Sequence, residues 1–75
     1  MKQILIDIAR AIVDNPDAVT VTEKIDGNSV YLQLSVDQSD MGKVIGKQGR
    51  IAKAIRTVVK ASANHDNKKV IVDIV

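Results

Sequence analysis

The chain has 75 residues, 45% hydrophobic and 27% charged, enough for one domain over residues 1–75 and too apolar for a disordered chain. The absence of cysteine excludes disulfides, thiolate metal sites and a cysteine nucleophile. No apolar run is long enough for a membrane span, and Asp7 interrupts the N-terminus too early for a signal peptide, so a soluble, cytoplasmic protein is expected. The net charge of +2 is unevenly spread. Residues 1–40 carry three bases and seven acids, residues 41–75 eight bases and two acids, with no acid from Met41 to His65. A basic half of this kind fits a polyanionic partner.

Residues 2–14 read as a helix, because Ile4, Leu5, Ile8, Ile12 and Val13 recur at helical spacing. Asn15-Pro16-Asp17 ends it, since proline disfavours helix in the residue before it. Residues 18–25 read as a strand with Val19, Val21 and Ile25 on one face and Thr20, Thr22 and Lys24 on the other. Asp26-Gly27 supplies a hairpin turn of type I′. Residues 29–37 alternate, Val30, Leu32, Leu34 and Val36 inward against Tyr31, Gln33, Ser35 and Asp37 outward.

Ser39 or Asp40 caps a short helix running to Ile45, and the Gly46–Gly49 loop follows. Residues 50–62 form the clearest helix. Ile51, Ala54, Ile55, Val58 and Ser62 share one side, and Arg50, Lys53, Arg56, Thr57 and Lys60 share the opposite side. A polar loop over 63–67 leads to a last strand, Lys68 to Val75, in which Val70, Val72 and Ile74 alternate with Ile71, Asp73 and Val75. The order is α-β-β-α-α-β. The crossover between the second and third strands allows them to lie parallel and adjacent, with both helices on one sheet face.

The chemistry concentrates in Val44-Ile45-Gly46-Lys47-Gln48-Gly49-Arg50-Ile51. Two glycines three apart permit a sharp turn and the close approach of another backbone. The loop opens into a helix, whose free N–H groups and positive dipole end suit a phosphate. Lys47 lies in the loop. Lys43 precedes it, and Arg50 and Lys53 follow on the exposed face, while Val44, Ile45 and Ile51 anchor both flanks to the core. A bare G-x-x-G is also what a helix corner with a glycine C-cap looks like. The flanking apolar residues, the acid-free basic helix and the crossover favour a grip on a phosphodiester chain.

This segment resembles the signature of the K-homology (KH) domain, whose G-x-x-G loop clamps about four nucleotides of single-stranded nucleic acid. The element order resembles the type II, mainly bacterial, form over essentially the whole chain. The fold implied is α+β, a three-stranded mixed sheet with helices packed on one face. By the same resemblance Gly46, Lys47, Gln48 and Gly49 contact the RNA backbone. Val44, Ile45, Ile51 and Ile55, with Val70 and Val72, shape an aliphatic groove for bases, and residues 63–69 close its other side. Small stand-alone KH proteins of this length imply single-stranded RNA as ligand and self-association. They also imply pairing with a larger KH-containing protein, and roles in post-transcriptional regulation, RNA chaperoning, cell elongation and division.

No cofactor, metal site or catalytic residue is expected. His65 is the sole histidine and sits in a polar loop without an oriented partner. A P-loop fails on spacing, with three residues between Gly42 and Gly46 and Gln48 after the lysine. The alternative is a protein-interaction or dimerisation module, for which Val59, Ile71, Val75 and Tyr31 are the candidate exposed residues.

Overall fold

A computed structural model describes residues 2–63 and 68–75. The elements are α1 (Lys2–Ile12), β1 (Thr20–Asp26), β2 (Ser29–Ser35), α2 (Met41–Ile45), α3 (Arg50–Ala63) and β3 (Lys69–Ile74). Single 3-10 turns, Pro16–Ala18, Gln38–Asp40 and Lys47–Gly49, join them. The sheet has the order β1-β2-β3, with β1 antiparallel and β3 parallel to β2. The predicted α-β-β-α-α-β order and mixed sheet are therefore present.

The inward faces of the strands meet the helices in one core. Val21, Val30, Leu32, Leu34, Val70 and Val72 from the sheet pack with Leu5, Ala9 and Val13 at α1, Val44 of α2, and Ile55 and Val59 of α3. Ala9 was absent from the predicted stripe because it is small. It is completely buried, and the missing bulk lets α1 settle close to its neighbours.

Several boundaries and faces differ from expectation, each for a physical reason. The helix predicted to residue 14 ends at Ile12, two residues earlier, where the backbone N–H groups of Asp14 and Asn15 turn to the Asp40 carboxylate. The hairpin loop is Gly27-Asn28 rather than Asp26-Gly27, since Asp26 still pairs with Ser29. Within this loop only Gly27 has positive φ, the pattern of a type II′ turn. Ile25, expected inward, is 58% exposed although its cross-strand partner Val30 is buried, because β1 is the edge strand and the helices cover this row only from β2 onward. Val36 and Asp37 fall outside β2. Asp37 instead accepts the backbone N–H of Ser39 at 2.9 Å and starts the following turn.

On α3 the core takes Ala52, Ile55 and Val59 rather than the predicted Ile51-Ala54-Val58 flank. Val59, a candidate for exposure, is completely buried, and Val58 beside it is 47% exposed. Ile55 belongs to both stripes. The helix has simply rolled toward β3.

Candidate nucleic-acid interface

The helix α2 has only five residues, far too short to persist alone. Its place is fixed by Val44, fully buried beneath it, and by Asp40 at its start. Asp40 is the one buried charged residue among those described. Its carboxylate was expected to be available for capping α2, but no cap hydrogen bond forms there. It accepts the N–H of Asp14 at 3.2 Å and of Asn15 at 3.1 Å, pinning the end of α1 to the start of α2.

Lys43 joins the same cluster. Its ammonium donates to Asp14 and stands 3.8 Å from Asp40. The hydrogen bond to Asp14 raises the lysine's pKa, with the nearby negative charges of Asp14 and Asp40 adding to it. Lys43 is thus occupied at the base of α2, while Lys47, Arg50 and Lys53 have no ion-pair partner among the described residues.

The loop itself is a tight turn. Gly46 N–H closes α2 by donating to the Gly42 carbonyl at 2.9 Å, and Gly49 N–H returns to the Gly46 carbonyl at 3.3 Å. Gly46 adopts φ 74°, ψ 176°, a region open in practice to glycine alone. A Cβ there would lie 2.6 Å from Cγ1 of Ile51, so the glycine is required twice, by its backbone and by Ile51 resting on it. Gln48, with φ 57° and ψ 24°, is the only non-glycine residue at positive φ among those described. Such left-handed residues cost of order 1–3 kcal/mol and gather at ligand clamps. Gly49 is also at positive φ, but nothing lies within 4 Å of the place its Cβ would take. Space is left open on that side.

Electrostatics point the same way. The first turn of α3 contains no acid, where acids are ordinarily favoured by the helix dipole. Arg50 and Lys53 stand there instead, with Lys47 in the turn just before. The repulsion this builds is relieved by an anion at that end.

The predicted residues divide into two groups. Lys47, Gln48, Gly49, Arg50, Lys53, Ile45 and Ile51 reach the surface to varying degrees around the turn, with Ile45 and Ile51 well exposed rather than anchored in the core. Val44, Ile55, Val70 and Val72 are core residues and support the surface from beneath. Arg56, expected only as part of the basic face, leans across to β3, where its Nε donates to the Val72 carbonyl at 3.0 Å. The loop over 63–69 lies largely outside the described residues, as does His65.

A second surface emerged that periodicity had assigned to the core. Ile8 and Ile12 of α1 and Ile51, Ala54 and Val58 of α3 line an almost wholly apolar groove, with Arg50 at one end. The signal was in the sequence: α3 has more apolar residues than one stripe needs.

The sequence profile described as the KhpA/KhpB KH domain matches residues 2–74. The RNA-binding protein KhpA of Clostridium acetobutylicum is 59% identical over 75 residues, covering the whole of both chains. The proteins of that name from Clostridium perfringens and Caldanaerobacter subterraneus subsp. tengcongensis are 57% and 56% identical, again over the full length of both chains. With the α-β-β-α-α-β order, the mixed sheet and the glycine turn between α2 and α3 all in place, the chain belongs to the KhpA/KhpB family of KH-domain proteins and has the type II KH fold.

Proposed function

We propose that this protein binds single-stranded RNA without catalysing a reaction, holding the strand's backbone in the Gly46-Lys47-Gln48-Gly49 turn. The observation that carries this is the turn's geometry. Gly46, Gln48 and Gly49 all take positive φ directly before an acid-free helix start. Lys47, Arg50 and Lys53 supply charge to successive phosphates, and Ile45 and Ile51 offer aliphatic contact to bases. The relatives named RNA-binding protein KhpA support the ligand class. By the resemblance to small stand-alone KH proteins, the reading extends to a post-transcriptional regulator or RNA chaperone serving cell elongation and division.

The test is fluorescence anisotropy of a labelled, unstructured RNA pool at two salt concentrations, with Lys47→Asp/Gln48→Asp beside the wild type. Both sites are on the surface, so the variant should keep its circular dichroism spectrum. Salt-sensitive binding by the wild type and none by the folded variant is the expected result. Equal binding by both would move the grip to the basic face of α3, and binding by neither would end the RNA reading.

The apolar groove between α1 and α3 favours a second, compatible reading. It serves a homodimer, or a heterodimer with a larger, KhpB-like KH protein. Val58, 47% exposed, is the more exposed of its two exposed large apolar residues, ahead of Ile51.

A further inference from the structure

Two features on the far side of α3 adjoin each other. A pocket of about 250 Å³ is lined by Lys60, Lys68, Lys69, Val70 and Ile71. It straddles the edge strand β3, because Val70 faces the helices while Ile71 has the opposite parity. Beside Ile71, on the outer sheet face, stands Tyr31, 41% exposed and the chain's only aromatic residue. The register sets Tyr31 between Ile71 of β3 and Lys24 of β1. Asp26 and Asp73 stand in the rows on either side, so the surface that suits an anion is a single row wide.

The open edge of β3 is unsuited to another strand. Lys69 donates its N–H to the carbonyl of Asn28, just before β2, and Val75 donates to Leu34 of β2, which turns the backbone N–H and C=O groups of Val70, Val72 and Ile74 outward. The Val72 carbonyl is taken by Arg56, and the lysines at the strand's start oppose strand addition. The carbonyls of Val70 and Ile74 also face outward, so what suits a polyanion at this edge is the lysine cluster at its start, Lys60, Lys68 and Lys69. An exposed ring beside a cation, as Tyr31 is beside Lys24, is in turn a surface on which single-stranded bases stack.

We propose that an RNA strand held by the Gly46–Gly49 turn continues along α3 and crosses the β3 edge. There it places a phosphate among Lys60, Lys68 and Lys69 and stacks a base on Tyr31 against Ile71. This rests on the RNA-binding reading above and extends the footprint to a second contact on the opposite face of the sheet.

The chain lacks tryptophan, so its tyrosine emission reports on this one ring. The whole protein is titrated with single-stranded RNA of about four nucleotides, enough for the turn, and of about twelve. Labelled-RNA anisotropy and tyrosine emission are followed together. Both lengths should bind, and only the longer should quench the emission. Tyr31→Ser should weaken the longer RNA about tenfold and leave the shorter unchanged, the scale of one stacked base, while Tyr31→Phe restores binding. If the longer RNA binds with emission unchanged, or if Tyr31→Ser binds it as the wild type does, the second contact is wrong and the first stands. If neither length binds, the RNA-binding reading fails and this extension with it.

Discussion

The buried carboxylate of Asp40 receives the backbone N–H of Asn15 at 3.1 Å, joining two segments 25 residues apart. Asp14 donates to the same carboxylate. Asp40→Ala removes both charge-assisted bonds and leaves two part-buried donors unmet, at a cost of about 3 kcal/mol. For a domain of this size the melting temperature should fall by roughly 15 °C, which a thermal melt followed by circular dichroism will measure.

The two loop glycines should behave differently. Gly46→Ala sets a Cβ against Ile51 in a backbone region that alanine avoids, and should cost about 3 kcal/mol. Gly49→Ala meets open space and pays only for its left-handed φ, about 1 kcal/mol. Urea unfolding of both variants checks this. Adding Ile51→Ala to Gly46→Ala removes the Cγ1 and Cδ1 contacts but leaves the Ile51 Cβ contact, so it should recover part of the loss and not all of it.

Lys43 and Lys47 stand four residues apart and should separate by salt dependence. If Lys47 meets a phosphate, Lys47→Ala lowers the slope of log affinity against log salt by about 0.7, the value for one contact on a single strand. Lys43 is engaged with Asp14 and Asp40. Lys43→Ala should therefore lower stability and leave the slope nearly intact.

Adjacent valines on α3 test the apolar groove. Val58→Glu places a charge on an exposed site and should keep the fold; if two copies pair through this groove, it abolishes their self-association in sedimentation velocity. Val59→Glu places the same charge in the core and should unfold the protein, since an unpaired buried charge costs many kcal/mol. A folded Val58→Glu that still self-associates would remove this groove as the interface.

Stability should fall at both ends of the pH scale. The backbone N–H of Ser39, and then its hydroxyl, hold Asp37 below the usual carboxylate range. A lowered folded pKa contributes stability above the ordinary aspartate value, lost as pH falls below about 4. The hydrogen bond to Asp14 raises Lys43. Its contribution is present below the ordinary lysine value and is lost as pH rises beyond about 10. Urea midpoints across pH should show Asp37→Ala flattening the acid limb and Lys43→Met the alkaline one.

Element types and order were legible because each long segment obeys one period. Alternation in β2 and the helical spacing in α3 leave no competing assignment, and the parallel placement of β3 follows from its crossover. What periodicity could not resolve was which flank of Ile55 turns inward, since Ile51-Ala54-Val58 and Ala52-Ile55-Val59 are equally apolar. That choice is made by the neighbours in space. Asp40 was misread for a related reason. Its spacing marks a helix start, but its partners Asp14 and Asn15 lie just past the end of α1, out of reach of any local pattern. At the candidate site, the glycine spacing and basic flank were plain in the chain. The left-handed Gln48 and the fit of Ile51 on Gly46 depend on torsions and contacts that only folding defines.

Ile51 is the floor on which Gly46 sits and also a wall of the groove between α1 and α3. A protein filling that groove therefore presses on the side chain that dictates where the turn begins. If occupancy there changes the turn's affinity for its ligand, that ligand must change the strength of the protein–protein contact by the same factor. One isoleucine would then make assembly and ligand capture a single linked equilibrium.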